Sequence, residues 1–155
     1  MKLSTLCFCL RNDQVLLAMK KRGFGEGKWN GYGGKVADQE TPRVAAIREL
    51  QEESSLSASE GNLEQVGIVR FYFDGSQLFE CHVFLVKDWQ GEPRESDEMK
   101  PCWFLSSQLP FEEMWVADGK WIPLILAGKK IEAEVNFNTD GSELKNFSYQ
   151  ERQFA

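Results

Sequence analysis

Three glutamates, Glu49, Glu52 and Glu53, follow a glycine-rich turn that ends at Gly33-Gly34. On a helix turning ~100° per residue, Glu49 and Glu53 lie about 40° apart and Glu52 about 60° to the other side, so all three share one face. Ionised carboxylates crowded in this way repel one another and raise their own pKa unless cations neutralise them. Oxygen-only ligands select a hard ion, Mg²⁺ or Mn²⁺, over softer metals, and such ions serve phosphate chemistry. A solvated acidic helix face has the same composition, so the glutamates alone do not decide the matter.

The surrounding elements must position those carboxylates. Thr41 followed by Pro42 is a helix start, and Val44, Ile47 and Leu50 recur as one apolar stripe, which predicts a helix to about Ser54. The preceding stretch from Gly23 to Gly34 interleaves Phe24, Trp29 and Tyr32 with glycines, the mark of a packed loop rather than a flexible linker. Residues 3–10 and 15–19 read as a hairpin around Arg11-Asn12-Asp13-Gln14, and residues 63–73 and 78–86 as a second around Asp74-Gly75-Ser76. A short strand is expected at Cys102–Leu105, helical pieces at Phe111–Trp115 and Lys120–Leu126, and closing strands at Ile131–Phe137 and Asn146–Tyr149. A mixed sheet flanked by helices, an α+β domain spanning 1–155, is the architecture that follows.

At 155 residues with 42% hydrophobic residues the chain suffices for one domain with a sizeable core. A net charge of -6 argues against stable binding to nucleic acid through phosphate contacts. Cys7, Cys9, Cys81 and Cys102 lack zinc-like spacing and read as buried, reduced thiols, and His82 in a β-prone run reads as structural. No apolar run approaches the roughly 20 residues that span a bilayer. These features predict a cytoplasmic protein, monomeric and without a membrane partner.

The joint spacing is more specific than its parts. Gly34, five residues, Glu40, seven residues, then Arg48-Glu49-Leu50-Gln51-Glu52-Glu53 and, after two more residues, Leu56 resembles the Nudix box. The resemblance implies a Nudix-type α/β/α sandwich that hydrolyses a nucleoside diphosphate linked to another group. It implies metal ligands at Glu49, Glu52 and Glu53 and the backbone carbonyl of Gly33, with Glu98 as a further metal carboxylate. Arg48 would orient the carboxylates, Glu40 would brace the loop, and Glu53 or Glu52 would take the proton of the attacking water. Lys20 and Lys35 would compensate phosphate charge. Ser55 stands where the family has a glycine in a left-handed helix end.

Outside the box, Lys20 to Gly25, Trp29-Asn30-Gly31, Glu95 to Met99, Pro101 to Phe104 and Met114-Trp115 resemble the MutT-homologue branch of the family, animal enzymes that hydrolyse oxidised purine nucleoside triphosphates. That resemblance implies hydrolysis of substrates such as 8-oxo-dGTP or 2-hydroxy-dATP to monophosphate and pyrophosphate, sanitising the nucleotide pool. It places Thr5, Lys20, Asn30 and Asp118 as polar contacts to the base and Phe71 and Trp115 as aromatic walls. One position departs: those enzymes carry two adjacent aspartates where this chain reads Ala117-Asp118. Another Nudix activity, on ADP-ribose, dinucleotides or capped RNA, and a non-catalytic nucleotide-binding module are the alternative readings.

Overall fold

The computed structural model describes residues 2–154. Its strands are β1 (Lys2–Arg11), β2 (Gln14–Lys20), β3 (Trp29–Asn30), β4 (Leu63–Phe73), β5 (Ser76–Val86), β6 (Met99–Leu105), β7 (Ile131–Phe137) and β8 (Leu144–Glu151). Its helices are α1 (Pro42–Ser54) and α2 (Asp118–Leu126). The sheet runs β3-β2-β1-β5-β4-β7-β8, with β6 on the other edge of β2. The β1–β5 and β4–β7 pairs are parallel and the remainder antiparallel, so the sheet is mixed and the α+β expectation holds.

Alternation along the central strands builds two cores, because successive side chains of a strand point to opposite faces. Leu6 and Phe8 of β1 join Trp121, Ile122 and Ile125 of α2 on one face. Cys7 and Cys9 join Ala46 and Leu50 of α1 on the other. The layers are therefore helix, sheet, helix.

Local signals in α1 work as the sequence suggests. The Thr41 hydroxyl accepts from the Val44 N–H at 3.2 Å, and Pro42 occupies the first turn, where its missing N–H costs nothing. The buried stripe differs from expectation: Ala45, Ala46 and Leu50 face inward while Val44 is 40% exposed. The two alanines let the helix axis lie close to the sheet, which rotates Val44 outward.

Other differences arise from pairing partners distant in sequence. Only Cys9–Arg11 and Gln14–Leu16 pair as the expected first hairpin. The rest of β1 is held by β5 from Lys2↔Phe79 to Cys9↔Val86. The edge of β1 that β2 leaves open is filled by the glycine turn: Thr5 N–H donates to Gly34 O (2.9 Å), Cys7 N–H to Tyr32 O (2.6 Å) and Tyr32 N–H to Cys7 O (3.0 Å). β6 starts at Met99 rather than Cys102, because Lys20 of β2 pairs with Met99. Phe111–Glu113 is a single 3₁₀ turn and α2 starts at Asp118, two residues before the expected position. β8 extends two residues beyond expectation at each end. Cys7, Cys9 and Cys81 are buried free thiols as expected, but Cys102 is exposed, on the solvent side of an edge strand.

α1 ends in a left-handed residue, Ser55 (φ 71°, ψ 12°), whose N–H donates to Gln51 O. This conformation costs a residue with a Cβ about 1–2 kcal/mol. Ser55 is exposed, so no packing opposes its removal. Ser55→Gly is expected to stabilise the fold by about 1 kcal/mol and raise Tm by about 2–4 °C, measured by thermal denaturation.

Candidate active site

The glycine turn packs so closely on β1 and α1 that Gly33 has no room for a side chain and Gly34 touches a carboxylate of α1. A Cβ at Gly33 would lie 1.8 Å from Thr5 O, and one at Gly34 would lie 2.6 Å from the Glu49 carboxylate. With that close approach, the Gly33 N–H donates to Glu53 Oε1 at 2.9 Å. Burial pushes Glu53 up to about 7, opposed by the Gly33 N–H and reinforced by the neighbouring Glu49.

Arg48 is the hub of the helix face. Its guanidinium pairs with Glu40 through Nε (2.7 Å) and Nη2 (2.9 Å), with Glu49 through Nη1 (3.0 Å) and more loosely with Glu52 (3.4 Å). Nη2 also donates to Lys35 O at 3.1 Å. Hydrogen bonds from Arg48, then from the Ala37 N–H, hold Glu40 down to about 2. Planar guanidinium donors can bridge several carboxylates in this way, which a lysine cannot do.

The donor set fits a hard divalent cation. Glu49, Glu52 and Glu53 project oxygens from one helix face beside the Gly33 peptide; burial raises Glu53 first, with Glu49 and Glu52 adding to it, and a cation there would offset both effects. Among the described residues no three acidic, histidine or cysteine side chains converge as a ready cation cage. Glu49 and Glu52 are instead drawn onto Arg48. Glu98 lies apart from them: its Oε1 accepts from Arg22 at 2.8 and 3.1 Å. Lys20 acts electrostatically on both Glu53 and Glu98, favouring their ionised forms.

Across the sheet edge from α1 lies a cavity of ≈ 260 Å³. Thr5, Lys20, Asn30, Lys35, Phe71, Trp115 and Asp118, the substrate-side residues expected from sequence, all line it, and Gly33 does so too. The structure brings these segments together through the β1–β5 and β4–β7 pairings and α2. Phe71 stacks parallel to Phe137 at 6.2 Å, and Trp115 packs on Phe137 at 6.1 Å and on Phe24 at 5.1 Å. Asn30 Oδ1 accepts from the Gly31 N–H at 2.8 Å, fixing the amide plane. Asp118 is 3% exposed, accepting from Trp121 Nε1 (3.3 Å) and from the Trp115 N–H (3.2 Å). Burial pushes its carboxyl up to about 7 against those two hydrogen bonds.

Sequence reasoning missed Phe24, Lys28, Phe73, Phe79, Met99 and Phe137 as cavity walls. Phe73 was within reach, since it follows Phe71 by two in a strand and faces the same way. Phe24 had a signal as an aromatic residue inside a glycine loop. Lys28, Phe79, Met99 and Phe137 carried none, because their place depends on long-range pairing.

The Arg48 network has a consequence for acid stability. Glu40 titrates at about 2 in the folded protein against an ordinary value of 4.5. A lowered folded value means its contribution is complete above about pH 4.5 and is lost as the pH falls toward 2. Acid denaturation of Glu40→Gln is expected to show a shallower loss of stability across that window than the wild type, measured by urea denaturation at each pH.

The chain matches the NUDIX domain family over residues 1–125. It is 48% identical over 130 residues to the oxidized purine nucleoside triphosphate hydrolase of Danio rerio, covering 83% of this chain and 82% of that protein. It is 44% identical over 151 residues to the protein of the same name in Mus musculus, covering 97% of this chain and 95% of that one. A crystal structure of the mutator MutT protein from Bacillus halodurans superimposes with a TM-score of 0.80 at 26% identity, covering 96% of this chain and 97% of that one. The shared box, the sandwich and these relatives lead to one conclusion: the chain belongs to the Nudix hydrolase family.

Proposed function

We propose that this protein hydrolyses oxidised purine nucleoside triphosphates, such as 8-oxo-dGTP or 2-hydroxy-dATP, to the monophosphate and pyrophosphate, with Mg²⁺ (or Mn²⁺) as cofactor. The observation that carries the reading is the adjacency of two sites: a carboxylate helix face at Gly33 and an aromatic cavity that also includes Gly33 in its wall. A planar base in the cavity sets its triphosphate beside the carboxylates. Relatives named oxidized purine nucleoside triphosphate hydrolase cover nearly the whole chain and support the choice of substrate.

In this reading Glu49, Glu52, Glu53 and the Gly33 carbonyl hold the metal, with Glu98 joining after release from Arg22. The bound ion neutralises phosphate charge and lowers the pKa of the attacking water. Glu53 or Glu52 accepts the water's proton. Arg48 sets the directions of Glu49 and Glu52, while Lys20 and Lys35 face the phosphates. Phe71 and Trp115 flank the base, and Thr5, Asn30 and Asp118 read its edges. Residues 1–155 act as one catalytic domain, supported by Phe137 of β7 in the cavity wall. Among the described residues no helix is long and apolar enough to cross a membrane. We place the protein in the cytoplasm, as a monomer with a small-molecule substrate and no stable nucleic-acid partner.

Ala117 leaves Asp118 as the sole carboxylate in this corner of the cavity. Guanine-type bases present two adjacent donors, N1–H and N2–H, which suit an ionised carboxylate; an adenine-type base in its 2-hydroxy tautomer presents the N1 acceptor beside the N6–H donor, which suits a protonated one. With Asp118 titrating at about 7, the ratio of kcat/KM for 8-oxo-dGTP over 2-hydroxy-dATP is expected to rise as the pH increases through 7. A ratio that stays flat and near one from pH 6 to 8.5 refutes this role for Asp118.

The reading as a whole is tested by Mg²⁺-dependent pyrophosphate release across oxidised, methylated and normal purine triphosphates, with ADP-ribose, dinucleotides and capped RNA alongside. Oxidised purine triphosphates are expected to give the highest kcat/KM. Glu53→Gln should abolish nearly all turnover, by about 10³-fold or more, while Tm stays within a few degrees of wild type. Wild-type turnover in that variant would remove Glu53 from the mechanism.

A further inference from the structure

Among the described residues, Lys28 is the one charged cavity residue for which neither the box nor the substrate-side pattern has a use. It follows three glycines held at positive φ, Gly23, Gly25 and Gly27. Its backbone is pinned at both ends: Lys28 N–H donates to Gly25 O (3.0 Å), and Lys28 O accepts from Lys20 N–H (3.1 Å). The half-buried side chain carries its ammonium to 5.2 Å from the centroid of Trp115. It also lies close enough to act on the buried Asp118. Phe24 from the same loop covers Trp115 at 5.1 Å, so one short loop supplies both an aromatic and a cationic contact to this wall.

We propose that Lys28 is a specificity-determining residue of the purine cavity, holding the Trp115 indole by a cation–π contact and donating to the extra exocyclic oxygen that distinguishes an oxidised purine from its normal counterpart. The inference rests on the reading of the site as a purine nucleotide cavity. An ammonium has three donors and no acceptor, so it rewards an added oxygen and gains nothing from the C–H it replaces. The surrounding wall is aromatic, and in such a setting an ion–dipole contact is stronger than in water. Ala117 contributes to the same end. With only Asp118 as an acid beside it, the Lys28 charge is not shared between two carboxylates and remains available to the ligand. Sites built around a hydrogen bond to one substrate group discriminate strongly against analogues that lack it.

The groups facing Asp118 are Lys28 from the glycine loop, Cys81 from β5, and Trp121 Nε1 and the Trp115 N–H from its own segment. Of these, Lys28 is the only cation. Removing it makes ionisation of Asp118 harder, so any pH dependence of base choice should move upward.

The test compares wild type with Lys28→Met, which keeps length and loses charge, and Lys28→Arg, which keeps charge. Calorimetric titration with 8-oxo-dGMP and with dGMP gives the affinity ratio without catalysis, and steady-state kinetics gives the corresponding triphosphate ratio. In Lys28→Met the preference for the oxidised nucleotide is expected to fall about tenfold. That loss should appear in KM, with kcat within about twofold, and the midpoint of the pH dependence should rise. Lys28→Arg should keep the preference within about threefold. Discrimination that survives unchanged in Lys28→Met, or a midpoint that does not move, overturns the inference while leaving the proposed function intact. Wild-type protein that binds neither nucleotide overturns the proposed function and this inference together.

Discussion

The backbone pairing between β1 and the glycine turn is the constraint on which the site depends. β1 gives one edge to β5 and would leave much of the other unpaired, because β2 diverges from it after three residue pairs. Unpaired buried backbone groups are costly. The turn from Tyr32 to Lys35 satisfies them, and it fits because Gly33 carries no Cβ to strike the Thr5 carbonyl. Once held there, the same few peptides face two ways. Gly33 N–H and Lys35 O engage Glu53 and Arg48 of α1, while Gly33, Gly34 and Lys35 also form part of the cavity wall.

The electrostatics follow from that placement. α1 brings four acidic residues, counting Glu40 just before it, and Arg48 spans three of them, Glu40, Glu49 and Glu52, with a single planar group. Glu53 is left without it, buried and held by a peptide N–H, and its proton affinity rises accordingly. On the other face of the sheet, Asp118 is raised by the same physical cause, burial, with two hydrogen bonds too weak to offset it. The two carboxyl groups whose values approach neutrality thus sit one against the glycine turn beside α1 and one in the wall of the aromatic cavity.

Much of the fold was legible because its determinants are local. Thr41 and Pro42 start α1, and the turn Asp74-Gly75 between alternating strands makes the β4–β5 hairpin. The left-handed end of α1 at Ser55 was readable from the position of a residue that replaces glycine. The failures share a cause as well. The parallel β1–β5 pairing, the two-residue β3, the backward extension of β6 and the outward turn of Val44 are each set by a partner far along the chain, whose identity no local pattern reveals. Cys102 was misread for the same reason, since which face of an edge strand meets solvent depends on what covers it.

The sequence by itself pointed to the reaction chemistry through the resemblance of its box to the Nudix pattern, whose carboxylates, Arg48 and glycine turn lie within some twenty residues, while a helix of period 3.6 sets the relative directions of the carboxylates. Tertiary structure decided how the cavity is lined. The cavity draws Lys28 from a loop, Phe71 from β4, Phe137 from β7 and Asp118 from α2, segments separated by up to about a hundred residues. Strand pairing and burial alone bring them together, so the further walls Phe79 and Phe137, the burial of Asp118 and the ammonium of Lys28 beside it could be read only once the sheet had closed around them.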